Sequence, residues 1–169
     1  MLSQLQSLLI AAQDSKVKLF FLNALLQKLI PFNKPHRIKV LGISSECVSA
    51  LIPYRRSNMN HIRGIHACGL ATVSEFCSGL LLLRHINPTE YRLIMKSFST
   101  EFFYQAKKDI TASCRLTQDT LENTVLSPAG KKETFTINLI VDCHDTNQQL
   151  CSTTSVIWQL KPWKEVRTQ

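Results

Sequence analysis

The chain has no run of five basic residues, no Cys-x-x-Cys pair, no internal repeat and no low-complexity tract. Without a basic run, and without Phe and Tyr interleaved among arginines, it is a poor nucleic-acid platform. Its net charge of +8 still favours an anionic partner of some kind. The six cysteines, Cys47, Cys68, Cys77, Cys114, Cys143 and Cys151, lack the spacing of a zinc site or a disulfide framework. They read as small core residues in a reducing compartment, so no metal is expected. Met1 to Ala12 has no basic start and ends in Gln13-Asp14, unlike a secretory signal, which makes the cytoplasm the default location.

Charge is scarcest in the middle of the chain. Between Arg63 and Arg84, Glu75 is the only Asp, Glu, Lys or Arg. Ile65, Leu70, Val73, Phe76, Cys77, Leu80 and Leu81 recur three and four apart, with Leu82 and Leu83 added, which predicts a helix over 64–85 that is apolar on most sides. A carboxylate in such a helix costs several kcal/mol unless it is paired, hydrogen-bonded or protonated. Glu75 therefore has either a chemical role or a structural partner. The stretch is near the length of a membrane span. It carries His66, Thr72, Ser74, Glu75 and Ser78, however, and strands follow it, so a span is disfavoured.

The rest of the chain reads as one domain, 1–169. Residues 1–14 form a tail in which Leu2, Leu5, Leu9 and Ala12 lie near helical spacing, which predicts a short or frayed helix. Over 15–31 an amphipathic helix is expected, with Val17, Phe20, Phe21, Ala24, Leu25 and Leu29 as its stripe, stopped by Pro31. Such a basic helix can lie on a membrane, but packing on its own domain is the favoured reading. Two short strands or one bent strand follow over 36–53, with Gly42 as a break. After the long helix, period two takes over. Tyr91 to Tyr104 reads as a strand broken near Ser99-Thr100, and Ile110 to Leu116 as a second. Thr117 to Leu126 reads as a short helix opened by Asp119-x-x-Glu122. Thr134 to Cys143 and Leu150 to Leu160 then form a pair around Asp145-Thr146-Asn147. One apolar helix followed by an antiparallel meander is best satisfied when the sheet wraps the helix, an α+β hotdog fold with an extra N-terminal helix.

Within this frame Asn60-His61-x-x-Gly64-x-His66-Ala67, with Glu75 nine residues after His66, resembles the signature of hotdog acyl-CoA thioesterases of the PaaI-like group. The resemblance extends loosely over 15–163 and includes the closing Trp158-x-Leu160-Lys161-Pro162-Trp163 run. It implies hydrolysis of an acyl-CoA or acyl-carrier thioester, with coenzyme A entering only as part of the substrate. Glu75 would be general base or nucleophile, Asn60 would place water or carbonyl, and His66 and the Ala67 amide would face the thioester carbonyl. His61, Arg63 and Ser97 are further candidates for substrate contact, and Arg55 and Arg56 join Arg63 as cations for the phosphates of coenzyme A. The chain departs from the pattern in having Arg63 where a glycine is common and Ala67-Cys68 where Gly-Gly is common.

Each residue has a plainer reading beside this one. Asn60 could serve its own turn, His61 could pack its loop, His66 could bond its own loop, and Glu75 could bond a neighbouring helix. A non-catalytic acyl-CoA or lipid-binding module with the same fold is the alternative function. A helix start stabilises an oxyanion through free N–H groups, but Glu75 lies about 13 Å along the axis from His66. One chain therefore does not readily join the two, and the site is expected to be shared across a homodimer or within a homotetramer. An edge strand left by a lone sheet points the same way.

Overall fold

The computed structural model describes residues 2–166. Its elements are α1 (Leu2–Ala11), α2 (Lys16–Leu29), β1 (Lys39–Ile43), β2 (Cys47–Ile52), α3 (Ala67–His85), β3 (Tyr91–Phe102), β4 (Ile110–Arg115), β5 (Phe135–Asp145) and β6 (Leu150–Pro162). The six strands form one antiparallel sheet in the order β1-β2-β4-β5-β6-β3, and α3 packs against its inner face. This is the hotdog arrangement expected from the order of elements.

α3 is long and apolar enough to cross a membrane, yet most of its surface is covered by its own chain. Leu70, Val73, Phe76, Cys77 and Leu80 to Leu82 are all buried. Its polar residues satisfy themselves locally: Ser74 Oγ donates to Leu70 O at 2.9 Å and Ser78 Oγ to Glu75 O at 2.9 Å. The Cys77 thiol donates to Val48 O at 3.0 Å, and burial pushes its pKa well up, as befits a core thiol. α1 lies across α3, burying Leu5, Leu9 and Ala12, so the N-terminal tail is a packed helix.

Five details differ from the sequence reading. In α2 the buried residues are Leu22 and Leu26, while Val17, Phe20, Phe21 and Ala24 are exposed. The helix is turned because Asn23 and Gln27 bind β1, the sheet edge: Asn23 Oδ1 accepts from Val40 N at 2.7 Å, Asn23 Nδ2 donates to Val40 O at 3.0 Å, and Gln27 Nε2 donates to Ile38 O at 2.7 Å. Gly42 does not end β1; the irregularity there is a bulge at Leu41. β3 runs unbroken through Ser99 and Thr100 and is instead bulged at Lys96, where Met95 pairs with Trp158 and Ser97 with the next residue, Ile157. Finally, the helical excursion after β4 is capped by Thr117, whose Oγ1 accepts from Thr120 N at 3.2 Å, and continues to Gly130. β3 also leaves the plain meander: it pairs with β6 at the far edge, not with β4.

Candidate active site

The loop before α3 is built around a buried asparagine that sequence reasoning passed over. Asn58 Nδ2 donates to His36 O at 2.9 Å and Pro53 O at 2.8 Å, and its Oδ1 accepts from His36 Nδ1 at 3.0 Å. Its own carbonyl accepts from His66 N at 2.7 Å, which fixes where α3 begins. Asn60 then closes a turn: its Oδ1 accepts from Ile62 N at 3.1 Å and Gly64 N at 3.0 Å. Two N–H donors require an oxygen there, so the amide orientation is fixed. Its Nδ2 meets no acceptor among the described residues. Arg63 occupies the left-handed region at φ 57° and its carbonyl accepts from Tyr54 OH at 2.7 Å. The position where the thioesterases it resembles commonly have glycine thus keeps a glycine-like backbone in this chain. At Gly64 a side chain would be tight, since a Cβ would stand 3.0 Å from Gln105 Cγ and that side chain would have to give way. His61 is exposed on the same loop.

His66 is the N-cap of α3, its Nδ1 accepting from Cys68 N at 3.1 Å. That bond uses the Nδ1 lone pair and leaves the ring proton on exposed Nε2. The next amide, Ala67 N–H, finds no acceptor among the described residues and is exposed. Loop and helix start therefore present three uncommitted donors, the Asn60 amide, the His66 Nε2–H and the Ala67 N–H.

Glu75 stands apart from them on the same helix. It is half-buried, and no side chain or backbone group among the described residues pairs with its carboxylate. Desolvation raises its pKa above the ordinary glutamate value. Two largely apolar cavities meet at it. One, of about 380 Å³, is lined by Gly79, Leu83, Tyr91, Leu93, Trp158 and Trp163 among others. The other, of about 300 Å³, is lined by Phe32, Cys68, Ala71, Thr72, Met95 and Phe98, and both also touch Ile30. The first is floored by a close fit: Trp158 Nε1 donates to Ser78 Oγ at 2.9 Å and the indole lies over Gly79. Trp158 and Trp163 entered the sequence reading only as part of the resemblance, and nothing marked the cavity they line, nor Gly79 or Ile30.

Asn60, His61, Arg63, His66 and Ala67 line neither cavity, so one chain separates Glu75 from the donors. Ser97 is exposed on the other face of β3. It pairs with outward-facing Ile157, while Met95 and Phe98 pair with inward-facing Trp158 and Val156. The bulge at Lys96 shifts the alternation by one, and Ser97 is turned away from Glu75.

A single sheet wrapped on a long helix defines the hotdog fold, here with an acid midway along that helix and free donors at its start. A Pseudomonas aeruginosa protein of unknown function and probable thioesterase shares the fold at TM-score 0.75 and 22% identity, over 83% of this chain and 93% of that one. A Haemophilus influenzae thioesterase does so at TM-score 0.70 and 12% identity, over 93% and 99% of the two chains. A Staphylococcus aureus thioesterase variant with a glutamine changed to alanine matches at TM-score 0.65 and 13% identity, over 78% and 99%. A second variant from that organism, with a glutamate changed to alanine, gives 0.64 and 14%, over 78% and 98%. No protein with a curated description matches the chain. The chain belongs to the family described as Domain of unknown function (DUF4442), matched over residues 19–160.

Proposed function

We propose that the protein is a thioester hydrolase acting on an acyl-CoA or acyl-carrier thioester, with Glu75 as general base or nucleophile. The observation that carries this is the unpaired Glu75 carboxylate at the meeting point of two apolar cavities. An acyl chain would fill an apolar cavity, and an ionised carboxylate beside its carbonyl takes a proton from water or attacks directly. The oxyanion would be met by Asn60, His66 and Ala67 of a second copy, because about 12 Å of helix separates Ala67 from Glu75 in one chain. Supporting that assembly, β3 is a long free edge with Ile94, Phe98 and Phe102 exposed. The glutamine and glutamate replaced in the two Staphylococcus variants stand as far apart in sequence as Asn60 and Glu75. Exposed Arg56 and Arg63, with half-exposed Arg55, would meet the phosphates of coenzyme A, so that binding weakens as salt rises.

The test is thiol release from acyl-CoAs of graded chain length, with Glu75→Gln as control. The catalytic reading expects a rate loss of about a hundredfold or more with fold and assembly unchanged. A second reading, an acyl-CoA-binding module without turnover, is favoured by one feature: Ala67-Cys68 replaces the more open Gly-Gly of the thioesterases it resembles. Binding without turnover at every chain length, equal in parent and Glu75→Gln, would leave that module as the function.

A further inference from the structure

The exposed face of α2 has no use in this chemistry. Val17, Phe20 and Phe21 are 65%, 69% and 58% exposed and lie on one stripe with Ala24. Lys16 and Lys18, one position either side of Val17, fall about 100° to each side of that stripe. From Asp14 to Glu46 the chain has no other acid and six cations: Lys16, Lys18, Lys28, Lys34, Arg37 and Lys39. Lys34, Arg37 and Lys39 join Arg55 in lining a groove of about 760 Å³ whose other wall includes Phe20 and Ala24. Among the described residues the one ion pair is Lys108 with Asp145, so these cations are unpaired.

An apolar stripe edged by unpaired cations and free of acids matches one kind of surface. We propose that α2 and the adjoining groove dock on an anionic phospholipid bilayer, independently of the hydrolase reading. Val17, Phe20 and Phe21 enter the boundary between headgroups and acyl chains, Lys16 and Lys18 lie along the headgroups, and Lys34, Arg37 and Lys39 receive lipid phosphate or carboxylate. A second copy of the chain is a poor occupant, because a twofold contact would set this acid-free surface against itself.

Co-sedimentation of the full chain with vesicles tests this, using phosphatidylcholine alone or with added phosphatidylserine. Binding is expected only with phosphatidylserine and is expected to weaken as salt rises. Lys34→Glu with Lys39→Glu should weaken it roughly thirtyfold or more, at about fivefold for each cation near an anionic surface. Phe20→Ser with Phe21→Ser should abolish it while leaving turnover of a soluble short-chain thioester unchanged. Phe20→Trp should keep binding and shift its emission to the blue on vesicles. Equal binding to both vesicle types overturns the proposal. So does binding that survives the double serine change, which would mark a plain polyanion site, or a loss of self-association with no vesicle binding by the parent.

Discussion

At Glu75 the chain keeps a carboxyl group whose ionisation is opposed by its surroundings, and the direction of that shift has two measurable consequences. A folded-state pKa above the unfolded one means the folded state holds its proton more tightly. That contribution to stability is complete below the ordinary glutamate pKa and is lost as pH rises through the raised value. Glu75→Gln should therefore unfold at higher denaturant than the parent at neutral pH, with the advantage vanishing in acid. In the catalytic reading the rate should fall on acidification at a pH above that of an exposed glutamate, and a pH–rate profile measures this. Beneath the same cavity, Gly79 has little room: a Cβ there would stand 3.1 Å from Trp158 Cζ2 and 3.2 Å from Cη2. Gly79→Val should displace the indole, costing about 1–3 kcal/mol and changing tryptophan fluorescence. Glu75 was legible in the sequence because it is the one charge between Arg63 and Arg84, in an apolar helix. The cap made by His66 and the turn made by Asn60 were legible only as plainer alternatives, and Asn58 was not legible, because its partners, the ring and carbonyl of His36 and the carbonyl of Pro53, are brought to it only by the fold.

Among the elements, α3 and the paired strands β5 and β6 could be read directly, since each has a single strong period. α2 could not, for it carries two apolar stripes, one through Leu19, Leu22, Leu26 and Leu29 and one through Val17, Phe20, Phe21 and Ala24. Periodicity cannot choose between them. The choice is made by Asn23 and Gln27, which close the outer edge of β1 as a neighbouring strand would. Asn23→Ala should leave both polar groups of buried Val40 without partners, a loss of about 1–3 kcal/mol for each buried group, seen as a lower denaturation midpoint. β3 was misread for a related reason: a bulge is a property of the pairing, not of the strand's own residues.

At the scale of the molecule, the separation of Glu75 from Asn60, His66 and Ala67 would make the assembly part of the proposed chemistry. If the site is shared, Glu75→Gln alone and Asn60→Ala with His66→Ala should each be nearly inactive. Mixed and re-equilibrated in equal amounts, they should regain roughly a quarter of parental activity, because half the dimers are mixed and each mixed dimer rebuilds one site of two. No recovery, or a monomer by light scattering at micromolar concentration, would remove the shared site. The sequence indicated five or six strands and a wrapped helix, but not that β3 crosses to the far edge beside β6. That placement depends on which edge the returning strands leave open, a long-range fact with no local signature.

The bulge at Lys96 also bears on which changes in chain length the fold tolerates. Met95 and Ser97 already face consecutive residues of β6, so removing Lys96 would leave every pairing from Tyr91 to Phe102 as it is. Deleting Thr100, within the regular ladder, would exchange the inner and outer faces of the residues beyond it, Glu101 and Phe102. The Lys96 deletion should therefore lower Tm less than the Thr100 deletion. Across related chains, a gap of one residue in this strand is expected at Lys96, and an alignment without that gap would place Ser97 on the wrong side of the sheet.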